Sequence, residues 1–190
     1  WDEALDSFVA ALVTNPSSPQ AILGRLDCLA NLWRIEELLE VSTQVIDEEL
    51  MENDYHPYYF RGFARTEMED YQDAIPDLEL GLSIGGIIGD EFRKMEHTTV
   101  KAYAKYGELM LMGGDSETAV DYFDGSLKYK PGNADLRVVM FNKALALIQL
   151  DKIDDAIKQL KETLQKFPDH RQAREALGQL YLMLEMYDLA

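Results

Sequence analysis

The residue types in this chain that most often take part in catalysis or metal binding are three histidines and one cysteine. They lie far apart in the sequence. His56, His97 and His170 are separated by 41 and 73 residues, so the sequence groups no two of them as a metal site would require. His170 falls in a turn, where an imidazole caps a helix or faces solvent. Cys28 lies in an apolar helical stretch, which indicates a packed thiol rather than a nucleophile. A single cysteine also excludes an intramolecular disulfide and a cysteine-based structural zinc site.

The other candidates for chemistry are a glycine-rich segment and several pairs of carboxylates. The segment 85–89 reads Gly-Gly-Ile-Ile-Gly and lacks the lysine and hydroxyl residues of a phosphate-binding loop. The acidic pairs recur at the start of successive predicted helices, where negative charge complements the helix dipole. Recurrence indicates a structural role rather than acid–base catalysis. We therefore predict that these residues form no enzyme active site and hold no cofactor and no metal.

The acidic pairs belong to a short string that recurs along the chain. It appears as Trp1-Asp2-Glu3-Ala4, Tyr71-Gln72-Asp73-Ala74, Ser116-Glu117-Thr118-Ala119, Ile153-Asp154-Asp155-Ala156 and, at the end, Met186-Tyr187-Asp188-Leu189-Ala190. Ala4 and Leu38 are 34 residues apart, as are Ala156 and Ala190. A period of about 34 residues is typical of stacked helix–turn–helix units.

We use six positions as register residues: Ala4, Leu38, Ala74, Ala119, Ala156 and Ala190. Small residues lie twelve positions before four of these register residues and predict close contact between helices: Gly62, Gly107, Ala144 and Gly178. Four residues later stand apolar side chains on the same helical face: Phe8, Leu78, Phe123 and Leu160. Twelve residues later stand residues that end helices: Pro16, Gly86, Pro131 and Pro168.

This pattern resembles the tetratricopeptide repeat. The best match is Leu177-Gly178-x-x-Tyr181 followed by Tyr187 and Ala190, and the unit from Tyr103 to Pro131 is nearly as good. The resemblance covers essentially the whole chain and implies an all-α, right-handed α-solenoid of stacked antiparallel helix pairs. The predicted array is single and consists of a half repeat 1–16, repeats 17–52, 53–86, 90–131 and 133–168, and a half repeat 169–190.

The sequence departs from the period in three places. Leu38 and Leu50 replace the expected small residue and proline, so the second unit is degenerate. From Ala74 to Ala119 the spacing is 45 residues, which predicts a glycine-rich loop and a lengthened helix from about Asp90 to Met112. The inserted segment is either a neutral surface loop or a contact made by Ile84, Ile87 and Ile88. From Ala119 to Ala156 the spacing is 37 residues, which predicts a longer helix or turn.

The net charge of −17 disfavours nucleic acid and anionic membranes as partners, because their phosphates would be repelled. No apolar run approaches the roughly 20 residues that cross a bilayer. No signal peptide is visible, which together with the single cysteine favours the cytoplasm. The chain lacks an initiator methionine and begins inside a repeat, so we expect it to be a piece of a longer array.

The resemblance implies that the first helix of each unit lines a concave face that binds peptides. The lining positions lie 18, 15, 11 and 8 residues before each register residue. The predicted contact residues are Leu23, Asp27, Tyr59, Phe63, Thr66, Lys101, Glu108, Phe141, Leu145 and Gln179. Tyr59 and Phe63, at i and i+4, predict one exposed aromatic anchor, unless the neighbouring unit partly covers them.

The composition of these positions predicts a protein or peptide partner with apolar or aromatic residues and basic residues. Some members of the family clamp the acidic C-terminus of heat-shock chaperones with lysine, asparagine and arginine side chains. Only Lys101 and Lys105 match that pattern, while Leu23 and Asp27 stand where a lysine and an asparagine are required. We therefore do not expect chaperone clamping.

Two alternatives remain for the function. The chain is either a segment of a larger scaffold that self-associates through its repeat ends, since uncovered terminal units expose apolar surface, or the substrate-recruiting arm of a larger enzyme. No residue pattern within the chain itself indicates catalysis.

Overall fold

The computed structural model describes residues 1–84 and 89–188, and within these ranges every regular element is an α-helix. The described helices are α1 (Asp2–Thr14), α2 (Pro19–Asn31), α3 (Ile35–Asp47), α4 (His56–Glu67), α5 (Tyr71–Ile84), α6 (Gly89–Met112), α7 (Ser116–Lys128), α8 (Asn133–Gln149), α9 (Ile153–Lys166) and α10 (Arg171–Asp188). The predicted all-α class is confirmed. None of these helices is both long and apolar enough to cross a membrane.

The chain divides into two compact units, the N-terminal unit (residues 1–99) and the C-terminal unit (residues 100–190). In the N-terminal unit, helices α1 to α5 each pack against the next helix in the chain. In the C-terminal unit, α7 to α10 pack in the same sequential way. Each unit is therefore a stack of helix pairs, while the predicted repeat boundaries stay a prediction.

Helix ends follow the predicted stop residues. Helix α1 ends two residues before Pro16, and α9 ends two residues before Pro168. Helix α7 ends at Lys128, shortly before Pro131. Proline lacks the N–H that would continue the helical hydrogen bonds, which explains the shared stopping point.

The turn between the two helices of a pair has the same backbone conformation in successive repeats. The residue five places before a register residue has a positive φ in all four turns of this kind; these residues are Trp33, Glu69, Gly114 and Asp151. The next N–H donates to a carbonyl five residues back, as from Arg34 to Leu29 at 3.0 Å. This left-handed turn ends the first helix and reverses the chain. Since only one of the four residues is a glycine, the sequence carried little sign of it.

Two of the small residues predicted at the helix contacts, Gly62 and Gly107, meet a neighbouring helix closely, whereas Gly178 does not. A Cβ added at Gly62 would lie 2.7 Å from Cγ of Leu78, and one at Gly107 would lie 2.8 Å from Cε1 of Phe123. Leu78 and Phe123 are fully buried, so in these two helix pairs an apolar side chain packs directly against a glycine of the partner helix.

The irregular spacings are taken up mainly by longer helices. Helix α6 has 24 residues and begins at Gly89, one residue before the predicted start. Helix α8 has 17 residues against 13 in α2, which accommodates the three extra residues. Of the predicted inserted segment, Ile84 ends α5, whereas Gly85, Gly86, Ile87 and Ile88 lie outside the described residues, as does the last register residue, Ala190.

Candidate functional site

A pocket of about 290 Å³ lies in the N-terminal unit between α2, α4 and the first turns of α6. We call it the aromatic pocket. Helix α4 contributes Tyr59 and Phe63, helix α2 contributes Asp27, and α6 contributes Glu91 and Lys94. Three predicted contact residues, Asp27, Tyr59 and Phe63, are therefore brought together in one concave site.

The pocket wall is built by residues one helical turn apart on α4. The ring centroids of Tyr59 and Phe63 are 6.2 Å apart, and Trp33, at the turn after α2, meets Phe63 edge-on at 6.1 Å. Tyr59 and Phe63 are half-buried and pack against the core, and the Tyr59 hydroxyl is hydrogen-bonded to Thr98. The anchor predicted as exposed is thus partly covered, and Trp33, 63% exposed, carries the accessible part.

Helix α4 is fixed to α5 by a buried cluster of charges. Asp77, on α5, accepts hydrogen bonds from Nε and Nη2 of Arg61 at 2.8 and 2.6 Å and from Nη1 of Arg65 at 2.6 Å. The Asp77 side chain is 6% exposed. A bidentate arginine pair has a defined geometry, so it holds the orientation of the helix that carries Tyr59 and Phe63.

Asp27 provides a carboxylate at the mouth of the pocket. Among the described residues, no side chain donates a hydrogen bond to this carboxylate. The pKa of Asp27 is raised, first because surrounding groups remove water from the carboxyl, and further by the charge of Glu91. The nearby charges of His56 and Lys94 act in the opposite direction and lower this pKa.

The other ionisable groups around the pocket have partners. The Tyr55 hydroxyl donates a hydrogen bond to Oε2 of Glu91; its pKa is raised, first by burial and then by this bond. Nδ1 of His56 lies 2.5 Å from Oδ1 of Asp54, and the Tyr55 ring stacks on the imidazole at 3.9 Å. His56 begins α4, and its ring is held in place by these two contacts.

The structure corrects one member of the predicted contact set, Thr66, which is buried. It is 1% exposed, and its hydroxyl donates to the carbonyl of Gly62 at 2.7 Å. A threonine inside a helix satisfies its hydroxyl in this way when the side chain faces a neighbouring helix. Thr66 therefore offers no surface to a ligand. Leu23 is half-buried and packs against the same core as Tyr59.

The remaining predicted contacts lie in the C-terminal unit and do not form part of the aromatic pocket. Glu108 accepts hydrogen bonds from Lys105 at 2.8 Å and from Asn142 at 3.2 Å. The ring of Phe141 lies 4.9 Å from that of His170. Lys101 and Leu145 are half-buried, and Gln179 is exposed.

His170 is buried rather than solvent-exposed. Its Nδ1 accepts a hydrogen bond from the backbone N–H of Ala173 at 3.4 Å, so the predicted capping role is confirmed. Burial lowers the pKa of His170, and so does the charge of Arg137. In the described part of the chain, no group of three or more His, Cys, Asp or Glu residues is arranged to hold a metal ion.

The sequence did not predict the contributions of Trp33, Glu91 and Lys94. Trp33 occupies a turn, a position outside the helical lining pattern. Glu91 and Lys94 lie in the added first turns of α6, where the insertion interrupts the 34-residue spacing. The length of the insertion was a signal that α6 would extend, but not of the surface it would face.

Part of the chain is similar to a known repeat family. Residues 110–180 match the family model described as tetratricopeptide repeat. Over 101 residues, 53% of the chain, the sequence is 30% identical to the inactive TPR repeat-containing thioredoxin TTL3 of Arabidopsis thaliana. The chain spans only 14% of the length of that relative.

Solved structures of tetratricopeptide proteins share the fold. YrrB, described as a TPR protein with an unusual peptide-binding site, is similar with a TM-score of 0.59 and 18% identity, covering 96% of this chain and 86% of that one. MamA is similar with a TM-score of 0.58 and 19% identity, covering 87% of this chain and 81% of that one. At this identity the likeness concerns the fold.

Proposed function

We propose that this chain is a member of the tetratricopeptide repeat family and a protein-interaction module that binds a peptide segment of a partner protein in the aromatic pocket. The observation that carries the proposal is the convergence of Asp27, Tyr59 and Phe63 in a single concavity. Concave sites with aromatic walls and a few directed polar groups are the usual form of a ligand site.

The chemistry of the pocket supports a ligand with apolar or aromatic and basic residues. Tyr59, Phe63 and Trp33 provide an aromatic surface, and aromatic residues dominate the energetics of protein interfaces. The peptide-binding site named for YrrB supports the same mode of action. The predicted residues of the C-terminal unit occupy lining positions on later first helices. We propose them as further contacts: Lys101, Glu108, Phe141, Leu145 and Gln179.

The test uses peptides selected against the chain from a random display library, with affinities measured by fluorescence anisotropy. We expect the double substitution Tyr59→Ala and Phe63→Ala to weaken binding at least about tenfold, as loss of an aromatic anchor does. Tyr58→Ala is the matched control, because Tyr58 is the adjacent tyrosine on α4 and lines a different cleft, next to Met51. We expect it to change the affinity less than about twofold.

Circular dichroism and thermal unfolding check that each variant is folded, since Tyr59 and Phe63 also contact the core. If the double substitution disturbs the fold, Phe63→Leu combined with Asp27→Arg probes the same pocket with smaller packing changes. Unchanged affinity in a folded pocket variant would show that the aromatic pocket is not the binding site.

A second candidate function is self-association, and one surface favours it. Helix α10 exposes consecutive apolar side chains; these are Tyr181, Leu182, Met183 and Leu184. Exposed apolar side chains beyond the usual scatter are one mark of an interface. We expect sedimentation velocity to show concentration-dependent association that Leu182→Glu abolishes, and a monomer at all concentrations would contradict this second candidate.

A further inference from the structure

We infer that the aromatic pocket receives the guanidinium group of an arginine side chain of the partner, with Asp27 as its counter-ion. This inference rests on the proposed function and specifies its ligand. Three features of the molecule support it: the distribution of charge along the chain, the state of the carboxylates in the pocket, and the geometry of the aromatic wall.

The acidity of the chain is concentrated in the unit that contains the pocket. Residues 1–99 carry 21 Asp and Glu against 6 Lys and Arg, a formal charge of −15, whereas residues 100–190 carry 14 against 12, a formal charge of −2. A field of this sign attracts cationic ligands to the N-terminal unit and repels anionic ones. The ligand of the aromatic pocket is therefore expected to be positively charged.

Within the pocket, Asp27 is the carboxylate that remains available. Glu91 accepts the hydrogen bond of Tyr55, and Asp54, beside the pocket, is held by His56. Asp27 is exposed, so a cation can reach it, and partial desolvation by its neighbours raises its pKa. A cation at hydrogen-bonding distance would stabilise the charged carboxylate.

Two basic side chains also line the pocket and limit what it can bind. Lys94 lines it from α6 and His56 lines it from α4. His56 is matched by Asp54, and Lys94 is outnumbered by Asp27 and Glu91. The local balance is negative, so an anionic side chain would meet two carboxylates in addition to the field of the unit.

The aromatic wall favours arginine over lysine. Tyr59 and Phe63 line the pocket together with Asp27, and Trp33 meets Phe63 edge-on. A planar guanidinium stacks on an aromatic ring while donating two parallel hydrogen bonds to a carboxylate, whereas an ammonium is a compact and strongly hydrated point charge. A volume of about 290 Å³ is at the lower limit for a small-molecule site, which suits one side chain.

The test titrates N-acetyl-arginine methylamide into the isotope-labelled full chain and follows backbone amide shifts by NMR. We expect saturable shifts at Asp27, Tyr59 and Phe63. The citrulline analogue has nearly the same shape without the charge, and we expect it to bind at least about threefold more weakly. The lysine analogue should also bind more weakly than the arginine analogue.

Asp27→Asn should weaken arginine binding at least about threefold and remove the preference over citrulline, because it deletes the counter-ion with little change in shape. Asp6→Asn is the matched control: Asp6 is an exposed carboxylate on α1 that does not line the pocket. It removes the same charge from the same unit and should leave the dissociation constant unchanged. The NMR spectrum itself reports whether each variant is folded.

The inference is overturned if citrulline or lysine binds as tightly as arginine, if Asp27→Asn has no effect, or if arginine shifts no amide of the pocket. Tighter binding of N-acetyl-leucine methylamide at the same amides would also overturn it, but would leave peptide binding in the pocket standing. The display-selected peptides test that broader function separately, so the two failures are distinguishable.

Discussion

His170 shows how one buried side chain links two helices in the C-terminal unit. Its ring contacts Phe141 on α8, and its Nδ1 caps the start of α10 through the N–H of Ala173. The sequence located His170 in a turn after Pro168 and allowed capping or solvent exposure. Which of these applied depended on the position of Phe141, 29 residues earlier, which only the packing of the helices could determine.

The stability of the chain should therefore depend on pH through His170. Burial and Arg137 lower its pKa in the folded state, although Asp169 and a hydrogen bond to the Arg137 backbone act in the opposite direction. As the pH falls through the usual histidine pKa of about 6.5, the unfolded chain binds a proton before the folded chain does. Stability from this group is complete above that pH and is lost as the pH falls towards the folded-state value.

We expect the urea midpoint of the wild type to fall more than that of His170→Asn between about pH 7.5 and pH 5.5. Asparagine preserves an N-cap acceptor without titrating, so the variant is a control for all other titrating groups. Parallel decreases in the two proteins would contradict the prediction.

In a helix pair, the residue twelve positions before the register residue affects how closely the two helices approach. Gly107 and Gly178 occupy this position in two different pairs. At Gly107, the fully buried ring of Phe123 leaves no room for a side chain, whereas no heavy atom lies within 4 Å of a Cβ added at Gly178. The sequence predicted both glycines as contact residues because they share the spacing, but their environments differ.

Alanine should have opposite effects at these two glycines. Gly107→Ala should reduce the free energy of unfolding by about 1–3 kcal/mol, because the methyl group overlaps an immobile ring. Gly178→Ala should increase it by about 0.5–1 kcal/mol, because alanine has the higher helix propensity and meets no obstacle. Chemical denaturation measures both changes, and a destabilising Gly178→Ala would show that this residue does have a close neighbour.

The turns within helix pairs were the least predictable elements. Trp33, Glu69 and Asp151 adopt the same left-handed conformation as Gly114, although their side chains disfavour it. The conformation is imposed by the hydrogen bonds that close each turn and by the packing of both flanking helices. Trp33 consequently lies beside Phe63 and joins the aromatic surface, which the lining pattern of the helices did not include.

For the whole molecule, the uneven charge determines how a cationic partner approaches. A formal charge of −15 on residues 1–99 produces long-range attraction, and salt screens it over a Debye length of about 10 Å at 0.1 M ionic strength. Charge of this kind acts mainly on the association rate constant, while contacts in the pocket set the dissociation rate constant.

We expect the association rate constant of an arginine-containing selected peptide to fall at least about threefold when sodium chloride rises from about 0.05 to 0.5 M, measured by stopped-flow fluorescence. At low salt, neutralising two exposed carboxylates of the N-terminal unit with Glu36→Gln and Glu40→Gln should slow association. The matched pair in the C-terminal unit, Glu117→Gln and Asp121→Asn, should slow it less. Equal effects of the two pairs would contradict steering by the N-terminal unit.

The spacing of residues along the chain predicted the helices, their order, their stop residues and the close helix contacts at Gly62 and Gly107. These features follow from local spacing, because a helix has a fixed period and because proline and glycine affect the backbone at their own positions. The location and composition of the aromatic pocket, by contrast, depend on the packing of the helices. Asp27 and Tyr59 are 32 residues apart in the sequence, as are Tyr59 and Glu91. Their convergence in the pocket depends on how α2, α4 and the extended α6 pack.

Packing also decided which residues of the predicted lining are accessible. Thr66 has the correct spacing, yet its hydroxyl turns inward to the Gly62 carbonyl. Trp33 has no such spacing, yet it remains exposed at the edge of the pocket. The spacing of residues assigns a side chain to a helical face, but its exposure is set by the neighbouring helices, and in this chain the added turns of α6 changed which neighbours those were.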